Sequence, residues 1–216
     1  MAARYDGFCS LDWGFNAPFA CYWWLCLPDG RLHIKREWKA REVFAEDFAK
    51  GFWEITRKEI GWQRPRYVVV GGDVKSRTGL KGPKGQSVWD TLVHHKLPLR
   101  DADKDRVNGW YRVHELLKPS PFGTPWLTVD PSCKYLLRTI AAAPRDPKEE
   151  DELDPKFTDD HGLESVRYGA MSRPSPTRLL EEMQQMGPMH AGSLLKDAIA
   201  ASTATPTLGH ANVRGR

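Results

Sequence analysis

Three apolar segments in close succession, Gly7 to Trp13, Ala17 to Leu27 and Arg31 to Trp38, constrain this chain more than any other feature. All three read as β-strands. Pro28-Asp29-Gly30 separates the second from the third, and glycine after aspartate supplies a positive φ angle cheaply, so the pair forms a hairpin. The predicted opening is a three-strand antiparallel meander. Phe44, Phe48, Phe52 and Ile55 then recur at helical spacing among Glu and Lys, which predicts an amphipathic helix over 41–60. Arg66-Tyr67-Val68-Val69-Val70 follows as a strand apolar on both faces, the kind found at the centre of a partly parallel sheet. Helical patterns at Val88–His94, Lys104–Leu117 and Lys134–Ala143 alternate with extended pieces at Leu97–Arg100 and Trp126–Val129. This order predicts an α/β mixed sheet, an antiparallel meander plus parallel strands, with helices on both faces.

The chain has 216 residues and a formal charge of +4, enough for one sizeable core with a small appendage. No run of about 20 apolar residues is present, and the N-terminus lacks the apolar core of a secretion signal, so a soluble, intracellular protein without membrane contact is expected. Cys9, Cys21, Cys26 and Cys133 show no paired metal or disulfide spacing and read as small core residues. The nine tryptophans suggest a densely packed core. The chain changes character near residue 173. Residues 1–172 read as one domain, and 173–216 as a linker, one short helix around Leu179, Leu180, Met183 and Met186, and a disordered end.

Asp12 stands near the end of the first strand and Asp73 after Val70-Gly71-Gly72 at the end of the fourth. The two acids share one end of the sheet if those strands run parallel, as a helical crossover favours. A later cluster, Asp159-Asp160-His161, opens a helix on which Asp160 and Glu164 share a face. Acids from two strand ends and a helix can hold a pair of divalent cations roughly 3.5–4 Å apart, the arrangement that hydrolyses phosphodiesters. Oxygen ligands without thiolates favour Mg²⁺ or Mn²⁺. Asp159 and Asp160 equally suit a helix N-terminus, where acids are stabilising without a ligand. His161 fits either a structural role or the orientation of a water or carboxylate.

Three landmarks carry a family resemblance. Leu11-Asp12-Trp13-Gly14-Phe15, Val68-Val69-Val70-Gly71-Gly72-Asp73 and the closing Asp159-Asp160-His161-Gly162-Leu163-Glu164-Ser165-Val166-Arg167-Tyr168-Gly169 resemble the nuclease domain of tailed-bacteriophage terminase large subunits over residues 5–172. Glu164 departs from the aspartate usual there. The resemblance implies an RNase H-like fold and a metal-dependent endonuclease that cuts concatemeric double-stranded viral DNA when packaging starts and ends, in the host cytoplasm. Asp12, Asp73 and Asp160 are then the expected catalytic residues. With Asp159 and Glu164 they supply the candidate ligands for Mg²⁺ or Mn²⁺, and His161 is the candidate orienting group. The terminase ATPase domain, the small terminase subunit and the portal protein are the implied partners.

No GxxxxGK[ST] phosphate loop occurs in this chain. The Gly-rich stretch after Asp73 carries Lys75, Arg77, Lys81 and Lys84, which are the candidate DNA-phosphate contacts. The acidic run Glu149 to Glu152 reads as solvated charge between prolines, and His94-His95 as a helix C-terminus. Two other readings stand beside the endonuclease. One is a module that docks DNA, a portal or a motor and has weak nuclease activity in isolation; the other is an RNase H-like Holliday-junction resolvase.

Overall fold

The computed structural model describes residues 6–75, 87–148, 152–154 and 156–185. Strands β1 (Asp6–Asp12), β2 (Phe19–Cys26) and β3 (Leu32–Ala40) form the expected meander. Gly30, with φ of 85°, makes the turn before β3. Helix α1 (Ala45–Glu54) runs into a π-helical turn, Ile55–Glu59. The helix begins four residues later than the predicted 41, because Glu42 takes a positive φ of 59° and donates its N–H to the Phe15 carbonyl. Phe44 therefore lies outside the helix, 58% exposed and tilted against the Phe15 ring, while Phe48 and Phe52 are buried.

After α1 come β4 (Val68–Val70), a 3₁₀ turn (Gly72–Lys75), α2 (Val88–His94), β5 (Leu99–Asp101) and α3 (Arg106–Leu117). The chain continues through β6 (Leu127–Val129), α4 (Lys134–Ala142), α5 (His161–Met171) and α6 (Pro176–Gln185). The six strands lie in the order β5-β4-β1-β2-β3-β6. Only β2 opposes its neighbours; the other five run in one direction. The predicted central strand, β4, is instead second from the edge, and β1 and β2 hold the centre. Three consecutive valines are explained by burial on both faces, which a strand one place from the edge also meets when helices cover the sheet.

Alternation along β2 sorts the core. Ala20, Tyr22 and Trp24 face α3, α4 and α5, while Phe19, Cys21 and Trp23 face α1 and α2. Every one of these side chains is buried. The tryptophans of the centre are structural: Trp23 Nε1 donates to Thr56 Oγ1 at 2.9 Å, and Trp24 Nε1 to Ser10 Oγ at 2.9 Å. Cys9, Cys21 and Cys133 are buried thiols, as expected for core residues. Leu179 and Leu180 of α6 rest against the α5 side of the core. Among the described residues no helix is long and apolar enough to cross a membrane.

Candidate active site

Parallel pairing of β1 with β4, Leu11 opposite Val70, brings the ends of both strands together. Asp12 and the Gly72–Lys75 turn carrying Asp73 thus share one end of the sheet, as the crossover argument predicts. Along β1, Phe8 and Ser10 point to the α5 side and Cys9 and Leu11 away, so Asp12 must point toward α5. It does: Asp12 is 8% exposed, and its Oδ2 lies 2.5 Å from His161 Nδ1, on the first residue of α5.

The helix reaches that close because its inner face is small. A Cβ at Gly162 would come within 2.7 Å of the Tyr22 hydroxyl and of Tyr135, and Ser165 shares a hydrogen bond of 3.0 Å with Ser10. Burial pushes the Asp12 carboxyl above the ordinary carboxylate range; His161 opposes this, and Glu164 and Asp160 add to it. The bond to Asp12 in turn raises the His161 imidazole, against the effect of its own burial.

Tyr168 joins this centre. A Cβ on Gly71 would lie 3.0 Å from the Tyr168 hydroxyl, so glycine immediately before the acid-bearing turn makes room for the ring. Burial first, then the charges of Asp12, Glu164 and Asp73, drive the Tyr168 pKa upward. Asp12, Asp73 and Glu164 thus all lie near enough to Tyr168 to act on it electrostatically. Lys104 also approaches the acid-bearing turn, its Nζ 3.2 Å from where a Gly72 Cβ would stand.

The remaining candidates divide. Asp160 is the residue before α5, and its side chain makes no capping bond, contrary to the capping role open to it. Among the described residues neither Asp160 nor Asp73 has a side-chain hydrogen bond or ion pair. Asp159 turns away to Lys39 Nζ (3.2 Å) and Arg138 Nη2 (2.8 Å). Glu164 is 6% exposed and held by two arginines, Arg167 and Arg106. Lys75 lies on Asp101, 2.6 Å away, and over the Trp89 ring. Arg77, Lys81 and Lys84 lie outside the described residues, as do residues 149–151 of the acidic run. Glu152 of that run is not simply solvated: it pairs with Arg106 and accepts from Trp110 Nε1. Its partners are more than 40 positions away in sequence, so local composition does not reveal them.

Among the described residues no three His, Cys, Asp or Glu side chains are gathered into a group that could hold a metal ion. The donor chemistry nevertheless fits a hard divalent cation. Asp12, Asp73 and Asp160 offer only oxygen, and Cys9 and Cys21, the thiols of the neighbouring strands, belong to the core on the opposite sheet face. What closes the arrangement is the protein's own side chains: His161 on Asp12, Arg106 and Arg167 on Glu164.

No family model matches the sequence, and no curated protein matches it. Solved structures do. The chain superposes on the large terminase of the thermophilic bacteriophage D6E with a TM-score of 0.61 and 18% identity, covering 80% of this chain and 40% of that one. The P22 large terminase nuclease domain gives a TM-score of 0.59 and 16% identity over 83% of this chain and 88% of that domain. The large terminase nuclease of the thermophilic phage G20c, solved with bound cobalt, gives 0.52 and 10% over 77% and 81%. The chain spans about two fifths of the D6E protein and nearly all of the P22 nuclease domain. Its mixed sheet with flanking helices is the RNase H-like fold of the large-terminase nuclease domain.

Proposed function

We propose that this chain is a metal-dependent DNA endonuclease that cleaves concatemeric double-stranded viral DNA at the start and end of genome packaging. The observation that carries the reading is the convergence of Asp12, Asp73 and the first turn of α5 at one end of an RNase H-like sheet. The cobalt bound to the G20c nuclease supports a divalent ion, here Mg²⁺ or Mn²⁺.

Asp12, Asp73 and Asp160 would hold the cation, with Glu164 as a further carboxylate. A bound divalent cation supplies charge stabilisation at the phosphoryl oxygens and a water activated at neutral pH. His161 would fix the Asp12 carboxyl in orientation through Nδ1. The Tyr168 hydroxyl, kept protonated first by burial and then by the charges of nearby acids, is available to donate a hydrogen bond to a group bound there. Lys104 and Lys75 place positive charge beside the acid-bearing turn, where a DNA phosphate would lie. An ATPase domain, a small terminase subunit and a portal are the partners this role requires.

The test is digestion of supercoiled plasmid with Mg²⁺, Mn²⁺ or EDTA by the parent and by Asp73→Asn, each checked by circular dichroism. Cutting that requires the metal and disappears in Asp73→Asn is the expected result. Equal cutting by the folded variant overturns the assignment. The engagement of Glu164 by two arginines favours a second reading, a DNA- or motor-docking module with weak nuclease activity in isolation. Metal-independent DNA binding without cleavage would select it.

A further inference from the structure

Glu164 holds two cations on different oxygens. Arg167 Nε and Nη2 lie 2.9 and 2.7 Å from Oε2, and Arg106 Nη1 lies 2.6 Å from Oε1. The two arginines are anchored very differently. Arg167 is 3% exposed, and its Nη1 donates to the Asp103 and Asp105 carbonyls. Its stem packs on Gly109, where a Cβ would come within 2.6 Å of Arg167 Cγ. It is part of the seam between α3 and α5. Arg106 opens α3 with a side chain 45% exposed, and among the described residues it is held by two carboxylates, Glu164 and, at 3.0 Å, Glu152.

We infer that Arg106 is a positioning residue that sets the cation affinity of the acidic centre, because its guanidinium occupies Glu164 Oε1 until a divalent ion or a DNA phosphate displaces it. This rests on the endonuclease reading and adds a control to it. Arg167 neutralises Glu164 permanently through Oε2, which the fold requires of a buried carboxylate. Oε1 is the oxygen a cation could recruit, and the group on it is the one that can leave. A phosphate diester offers the released guanidinium a charged, bidentate partner. DNA arrival and the freeing of Glu164 are thereby coupled, and the chain without DNA keeps its centre weakly binding.

The experiment is Mn²⁺ binding by calorimetry to the full chain without DNA, for the parent, Arg106→Gln, Arg106→Lys, Glu164→Gln and the Arg106→Gln/Glu164→Gln pair, with melting curves for each. Loss of one charged hydrogen bond from the competing ligand predicts roughly tenfold tighter Mn²⁺ binding by Arg106→Gln. Arg106→Lys, which keeps the charge and loses the fork, should stay near the parent. The gain should vanish when Glu164 is also glutamine. Parent binding that Arg106→Gln leaves unchanged or weakens overturns the inference while the metal reading survives. A gain that persists in the Glu164→Gln background overturns the route through Glu164. Absence of Mn²⁺ binding in every variant overturns both readings together.

Discussion

Replacing Gly169 by alanine separates two accounts of α5 by the sign of the effect. As an isolated helix, α5 would gain about 1 kcal/mol, because glycine is the worse helix former by that amount. The packing says otherwise. A Cβ at 169 would stand 2.4 Å from Trp24 Cζ2 and 2.7 Å from Cε2. Trp24 is fully buried, stacked on Phe8 with ring centroids 5.4 Å apart, and its Nε1 donates to Ser10, which bonds Ser165 on the same helix. The ring cannot yield, so α5 must lift. Overpacking at a rigid site costs about 3 kcal/mol, and loss of one buried hydrogen bond adds about 1. Against the propensity gain of about 1, the net is a loss of about 3 kcal/mol. For a chain of this size that lowers the melting midpoint by roughly 6–12 °C. Urea and thermal melts of Gly169→Ala measure it directly. A variant as stable as the parent, or more stable, refutes the claim that small residues seat α5 on the sheet and so place His161 against Asp12.

Three further outcomes follow from the site and its surroundings. Arg167→Ala strands a carboxylate that is 6% exposed with only its surface partner, and should cost about 3–5 kcal/mol in urea melts, whereas Arg106→Gln should cost under about 1. Equal costs would contradict the difference in anchoring. Asp12→Asn removes a charge that burial already disfavours, so its stability should stay within about 1 kcal/mol of the parent while plasmid cleavage is lost; unfolding would show that the Asp12–His161 pair is mainly structural. Burial lowers the His33 pKa below its ordinary value, partly opposed by Asp130. With the folded value below the unfolded one, the contribution is complete above about pH 6.5 and lost as pH falls through the folded pKa. His33→Gln should flatten the stability curve over that acidic range, at most about 1.4 kcal/mol per pH unit, and an unchanged curve counts against it.

Much of the fold was legible because its signals are local. The turn at Pro28-Asp29-Gly30, the helical recurrence of Phe48 and Phe52, and the apolar run from Ala17 to Leu27 each lie within a short stretch of chain. Boundaries were less so: the late start of α1 depends on a hydrogen bond between Glu42 and Phe15, residues far apart in sequence. Asp12 and Asp73 were legible as a pair because a crossover between neighbouring strands sets their direction. The remainder of the centre was not. Tyr168 near Asp12, Glu152 on Arg106, Asp159 drawn to Lys39 and Arg138, and Arg106 on Glu164 are contacts between residues 20 to more than 100 positions apart.

The order of strands and helices along the chain and the location of the acids at element ends were therefore determined by sequence alone, since period and spacing encode them. Which carboxylates are free and which are already neutralised was decided only by tertiary structure. A carboxylate's charge state and availability depend on what lies within a few ångströms of it, and no local pattern of residues records that.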